Sequence, residues 1–229
     1  MELKVLTAVY AATTVPYFWH NLQYPRDTSL WSVFIKCFPT LVLIPFALYT
    51  FRSAHVRKWH TLALIFATIG DFVFAYGYEY DKVLVAASVF AVHHVCYLKT
   101  YGSGSVRLWY KAFVPLLLWT LAITQLSRPN LPWHSLPTVF VIHVYGFCLM
   151  MQNWISASTW RYSTSPQEKE SAYWRMAGFL TLAVSDSVIA IANYIVRFPG
   201  WELWVILTYF WCEYFVFVGN YLSDKQKTR

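Results

Sequence analysis

The chain has 229 residues, of which 58% are hydrophobic and 13% charged, with a formal net charge of +7. That balance, with a positive mean hydropathy, places it among integral membrane proteins and excludes an ordinary soluble domain. The basic excess is spread over the short segments between apolar stretches rather than gathered in one stripe, which argues against a nucleic-acid partner.

A spanning helix needs about 20 apolar residues. Eight segments are predicted to span, at residues 3–19, 29–49, 59–77, 83–97, 108–125, 135–158, 172–196 and 201–221. The first follows Lys4 and is short enough to resemble a secretory signal. Thr13, Thr14 and Pro16 interrupt it and no small-x-small cleavage site follows, so it is read as a retained helix. In the second, Ser29, Ser32, Lys36 and Thr40 recur at three- and four-residue steps and share a face. In the third, Ala63, Ala67, Gly70 and Asp71 form a stripe that admits close approach of another helix. The fourth is short and aligns Phe90, His94, Tyr97 and Tyr101. The seventh aligns Ala183, Asp186, Ala190 and Asn193, and the eighth Tyr209, Glu213 and Asn220. Cys37, Cys96, Cys148 and Cys212 fall within spans without close pairing and read as small packing residues. Residues 161–170, the longest polar stretch, read as a loop on the cytoplasmic side. With connections this brief, residues 1–229 are expected to form a single all-α membrane bundle.

Of the 18 basic residues, Arg26, Lys82, Arg128 and Arg197 fall on one side of an eight-span arrangement. Apart from Lys36, inside a span, the others fall on the opposite side. Positive charge in short loops marks the cytoplasmic face, so both termini are expected there.

Four ionisable residues lie deep inside apolar segments, away from their ends: Lys36, Asp71, Asp186 and Glu213. A charge at the middle of a bilayer costs about 2.5–3.5 kcal/mol on insertion scales, so its presence there points to chemistry, transport or a buried pair. One basic and three acidic groups cannot all be neutralised by pairing, so at least one carboxyl is expected to hold its proton. At a rise of about 1.5 Å per residue, Lys36 lies about 10 Å from the non-cytoplasmic face, Asp71 about 12 Å and Asp186 about 9 Å, in a core of about 30 Å. Glu213 falls nearer the midplane. His94 on its own reads equally as an interhelical hydrogen-bond partner.

Several familiar site patterns fail. Diiron hydroxylases use multiple histidine boxes, whereas this chain has one His93–His94 pair and isolated histidines; no H-E-x-x-H is present. No metal site is therefore predicted. The glycine-aspartate motif of intramembrane aspartyl proteases lacks its first glycine, since Thr68 stands where it would fall. A serine nucleophile at Ser185 or Ser187 would need a histidine that the neighbouring sequence does not supply. A proton-coupled carrier would explain the buried acids, but the chain shows no two-fold repeat of broken spans.

Gly70–Asp71 in the third span, Phe90, His94 and Tyr97 in the fourth, Ser185–Asp186–Ser187 in the seventh and Thr208–Tyr209–Phe210 in the eighth occur in an order that resembles the YhhN-like lysoplasmalogenase family. Lys36 followed by Pro39 matches as well, and the similarity runs from Lys36 to Tyr221. Glu213 departs from the family, whose last-span motif usually carries glutamine there. The resemblance implies an eight-span hydrolase that cleaves the vinyl ether of lysoplasmalogens to a fatty aldehyde and a glycerophospho-base. It also implies residence in an internal membrane such as the endoplasmic reticulum. Asp71 and Asp186 would be the catalytic pair, without a cofactor. Lys36, His94, Tyr97, Ser185, Ser187, Asn193, Tyr209 and Glu213 would bind the lysophospholipid or support the pair. Which aspartate is acid and which is base is left open by the sequence, as is the oligomeric state.

Overall fold

The computed structural model describes residues 3–24, 27–76, 80–101, 106–127 and 136–227. Arg26, Arg128 and Arg229 of the charge split, and the span ends Gly77 and Ser135, lie outside them. Regular structure among the described residues is entirely helical: α1 (Leu3–Gln23), α2 (Leu30–Thr50), α3 (Ala54–Ala75), α4 (Tyr80–Thr100), α5 (Tyr110–Ser127), α6 (Leu136–Tyr162), α7 (Pro166–Tyr194) and α8 (Trp201–Lys227). Each predicted span therefore holds one helix.

The helix ends differ most at residues 161–170, expected as a loop. There α6 runs to Tyr162 and α7 starts at Pro166. The cause is local: the Ser165 hydroxyl accepts from the Glu168 backbone N–H and caps the helix, and Pro166 sits in its first turn. Ser163 also donates to the Glu168 carboxylate, closing the corner between the two helices.

Among the described residues, four segments are long and apolar enough to cross a membrane: Leu30–Thr50, Val139–Tyr162, Pro166–Tyr194 and Trp201–Gln226. A shorter apolar run covers Leu84–Thr100 in α4. The remaining helices are diluted by polar groups, such as Arg57, Lys58 and Asp71 in α3. They nevertheless expose large apolar side chains: Val15, Trp19 and Leu22 on α1, Ile65, Ile69 and Phe72 on α3, Val114, Leu118 and Leu121 on α5.

The helices group into two compact units, Met1–Gly102 and Ser103–Arg229. In the first, α1 packs on α2, α2 on α3 and α3 on α4. Ser29 caps α2 by accepting from the Ser32 N–H at 3.2 Å. Asp27 in turn accepts from the Ser29 N–H at 2.8 Å and from its hydroxyl at 2.7 Å, and lies 3.4 Å from His20 Nε2. The Ser29 backbone bond, then its hydroxyl and His20, hold the Asp27 carboxyl below its ordinary range. Its contribution to the corner is therefore complete at neutral pH and lost only in acid. The small stripe on α3 is buried as expected, and the Phe90 ring of α4 lies so close to Gly70 that a Cβ there would stand 2.8 Å from it. His93 Nδ1 lies 2.9 Å from the Ala63 carbonyl, so Nδ1 carries the proton and donates it between the two helices.

In the second unit, α5 packs on α6 and α7, α6 on α7, and α7 on α8. The α7–α8 pair is tight because glycines stand where side chains would collide. A Cβ at Gly178 would meet Val216 at 2.6 Å, and one at Gly219 would meet Arg175 at 2.6 Å and the Ser171 carbonyl at 2.8 Å. The Ser171 hydroxyl donates to the Gly219 carbonyl at 2.8 Å across this contact. Asn153 of α6 donates to the Phe179 carbonyl of α7 at 3.2 Å. These hydrogen bonds satisfy polar groups inside helices that water does not reach.

Candidate active site

The first unit supplies Lys36 and Asp71. Lys36 lies six residues into α2, and Asp71 four residues before the end of α3, or about 9 and 6 Å along their axes from the respective helix ends. Asp71 is only 2% exposed, whereas Lys36 is half-buried, with Nζ 4.6 Å from the centre of the Phe74 ring. The two charges lie within electrostatic range of each other. Phe74 stands three residues beyond Asp71, on the turn that faces the ammonium, so its ring offers a cation–π seat. Cys37, next in sequence to Lys36, makes a long thiol contact of 3.8 Å to the Thr68 carbonyl and ties the two helices together here.

His94 and Tyr97 are both fully buried in α4. The Tyr97 ring stands 5.2 Å from His60 and 4.6 Å from His93, and His60 in turn 4.7 Å from Phe51. His60 precedes Asp71 on α3 by about 16 Å of axial rise. The structure thus gathers Tyr97 into a histidine–aromatic cluster three turns away along α3. His94 lies beside His93, with ring centres 4.9 Å apart. His60 and His93 belong to this cluster and were not singled out by the sequence, whose helical-face argument followed Phe90 to Tyr101 and passed between them.

The second unit supplies Asp186. Its Oδ2 accepts a 2.6 Å hydrogen bond from the hydroxyl of Tyr145 on α6. Tyr145 and Cys212 both lie within electrostatic range of Asp186 and Glu213, which brings Glu213 of α8 into the same neighbourhood. Glu213 is fully buried. The flanking serines have other work. Ser185 donates to the Val205 carbonyl of α8 at 3.2 Å. Ser187 donates to the Ala183 carbonyl at 2.6 Å and accepts from Trp119 Nε1 of α5 at 2.9 Å. Successive residues of a helix point about 100° apart, so this triplet addresses three neighbours at once: α8, α6 and α5. Ser185 and Ser187 brace the turn that carries Asp186.

Asn193 and Tyr209 were also expected to support the site. Asn193 is exposed, closes its amide on the Ile189 carbonyl of its own helix at 2.8 Å, and lines an open cleft formed by residues 192–197. Tyr209 is half-buried, with its ring 5.7 Å from Phe210. Tyr145 and Trp119 were missed in the sequence because one tyrosine among 17 and one tryptophan among 12 carry no distinguishing pattern. The signal available was that a tyrosine in mid-span needs a partner for its hydroxyl.

All four cysteines are free and buried. Among the described residues no three histidine, cysteine, aspartate or glutamate side chains converge as metal ligands would.

No curated protein and no solved structure matches this chain. The model of the YhhN family does, over residues 31–220, a range that holds Lys36, Asp71, Asp186, Glu213 and the newly identified Tyr145. The chain belongs to the YhhN family.

Proposed function

We propose that this YhhN-family chain is a membrane hydrolase of the lysoplasmalogenase type, with eight spans and both termini in the cytoplasm. Its substrate is a lysophospholipid with a vinyl ether chain, held in the bilayer of an internal membrane such as the endoplasmic reticulum. The observation that carries the reading is the placement of two carboxyl-bearing residues, Asp71 within α3 and Asp186 within the apolar α7, in a YhhN chain. The exposed apolar side chains of α1, α3 and α5 support lipid contact for helices whose mean composition falls short of a span.

The chemistry follows from the bond to be broken. A vinyl ether hydrolyses by protonation of its β-carbon, which leaves an oxocarbenium ion at the carbon bearing oxygen. One carboxylic acid of the Asp71/Asp186 pair gives that proton, and the other, as carboxylate, stabilises the cation and takes a proton from the attacking water. The product is a hemiacetal. Its hydroxyl then returns a proton to the first carboxylate, while the second carboxylic acid protonates the departing glycerol oxygen. The aldehyde and the glycerophospho-base leave, and both carboxyls are restored. Glycosidases divide labour between two carboxyls around the same kind of cation. The Lys36 ammonium is the group we assign to the substrate phosphate.

Purified protein in detergent, given a lysoplasmalogen and no energy source, is expected to release free aldehyde and glycerophospho-base in equal amounts. A carrier moves its solute without breaking the ether, so absence of aldehyde from folded protein would reject the hydrolase reading.

A further inference from the structure

Asp186 is held asymmetrically. Its Oδ2 is engaged by the Tyr145 hydroxyl at 2.6 Å, a length typical of a strong O–H···O bond to a carboxyl. Among the described residues Oδ1 makes no hydrogen bond. The turn that carries it is braced by Ser185 to α8 and by Ser187 to α5, so a swing of the carboxyl about its own side-chain bonds has to break the Tyr145 hydrogen bond. Tyr145 itself is carried by a well-packed helix, with Gly146 next to it closing on Thr120 of α5.

We infer that Tyr145 is the positioning residue for Asp186, locking the carboxyl so that Oδ1 alone exchanges the proton with substrate or water. This rests on the hydrolase reading for its consequence in turnover, but not for the hydrogen bond. A carboxyl free to rotate presents either oxygen and spends most of its time off the reaction line. A donor fixed on Oδ2 removes that freedom before substrate arrives, and a proton carried by Asp186 then sits on Oδ1. Misplacement of a catalytic group by about 1 Å can cost about 100-fold in rate. Loss of this lock alone is therefore expected to cost about 10- to 100-fold in kcat, with KM little changed, because Tyr145 acts on the reacting carboxyl rather than on the lipid.

The test is Tyr145→Phe, which keeps the ring and removes the hydroxyl. In the purified full chain, the infrared carboxyl band that disappears in Asp186→Asn is that of Asp186, and it should shift in Tyr145→Phe. In the same variant kcat should fall as stated. Tyr145→Phe should add little to Asp186→Asn in the double variant, since it acts through that carboxyl. An unshifted band would overturn the lock, and a shifted band with unchanged kcat would overturn the positioning role. If the wild-type protein releases no aldehyde, the hydrolase reading fails instead, and the infrared band still decides whether Tyr145 holds Asp186.

Discussion

At the scale of single residues, the positions that matter most are those where an atom more or less decides the geometry. Gly219 is one. A methyl group there would stand 2.8 Å from the Ser171 carbonyl and 2.9 Å from the Arg175 nitrogen, both of them backbone atoms that cannot turn aside. Gly219→Ala is therefore expected to push α7 and α8 apart and cost about 1–3 kcal/mol, the usual range for overpacking. Gly146→Ala meets only a Thr120 methyl at 3.3 Å and should be milder. Thermal unfolding in detergent reads the difference, and equal melting of the two variants would mean that the contact is not tight. The sequence announced Asp71 and Asp186 because a charge in an apolar segment is conspicuous. It did not announce Tyr145, Trp119, His60 or His93, because aromatic and histidine side chains in a span look alike until a partner is known. Ser185 and Ser187 were expected to bind the lipid or support the pair, and the structure adds the partners, a carbonyl for each hydroxyl. Asn193 shared a helical face with Asp186 by periodicity, but the face runs out into an exposed cleft two turns further along α7.

Helices were the most legible elements, since runs of apolar residues near bilayer length can only be satisfied internally by helical hydrogen bonds. Their ends were less so. Hydropathy marks where the apolar run stops, whereas the helix stops where its terminal N–H and carbonyl groups find caps. At Ser165–Pro166–Gln167–Glu168 the capping signal was written in the sequence, and the apolar count overlooked it by treating a polar stretch as a loop. A close helix contact was foreseen from the stripe of Ala63, Ala67, Gly70 and Asp71, but not that α4 makes it, with the Phe90 ring in the space that the missing Cβ of Gly70 leaves. α1, α2 and α5 each carry proline inside the helix. Near Pro16, the Thr13 and Thr14 hydroxyls bond the Tyr10 and Ala11 carbonyls at 2.7 and 2.8 Å. These are back-bonds to the preceding turn, by which a hydroxyl inside a helix finds an acceptor, and they fall just before Ala12, whose carbonyl loses its helical donor to Pro16.

At the scale of the whole molecule, the proposed topology makes its own demand. With both termini cytoplasmic, tags at the two ends should be reached by reagents from the cytosol, and a cysteine replacing Arg128 should be labelled only from the opposite side. Termini labelled from opposite faces would reject eight spans. The central claim is that Asp71 and Asp186 serve one hydrolytic turnover, and it is tested most directly by aldehyde release from purified Asp71→Asn and Asp186→Asn proteins. Asparagine nearly matches aspartate in shape but neither ionises nor delivers a carboxylic proton. Each variant should lose about two or more orders of magnitude in turnover. Both should stay folded, because removing a buried charge also removes its desolvation cost. The double variant should be little worse than the worse single one, as groups acting as a unit are not additive. Aldehyde release near the wild-type rate by either folded single variant would contradict the account.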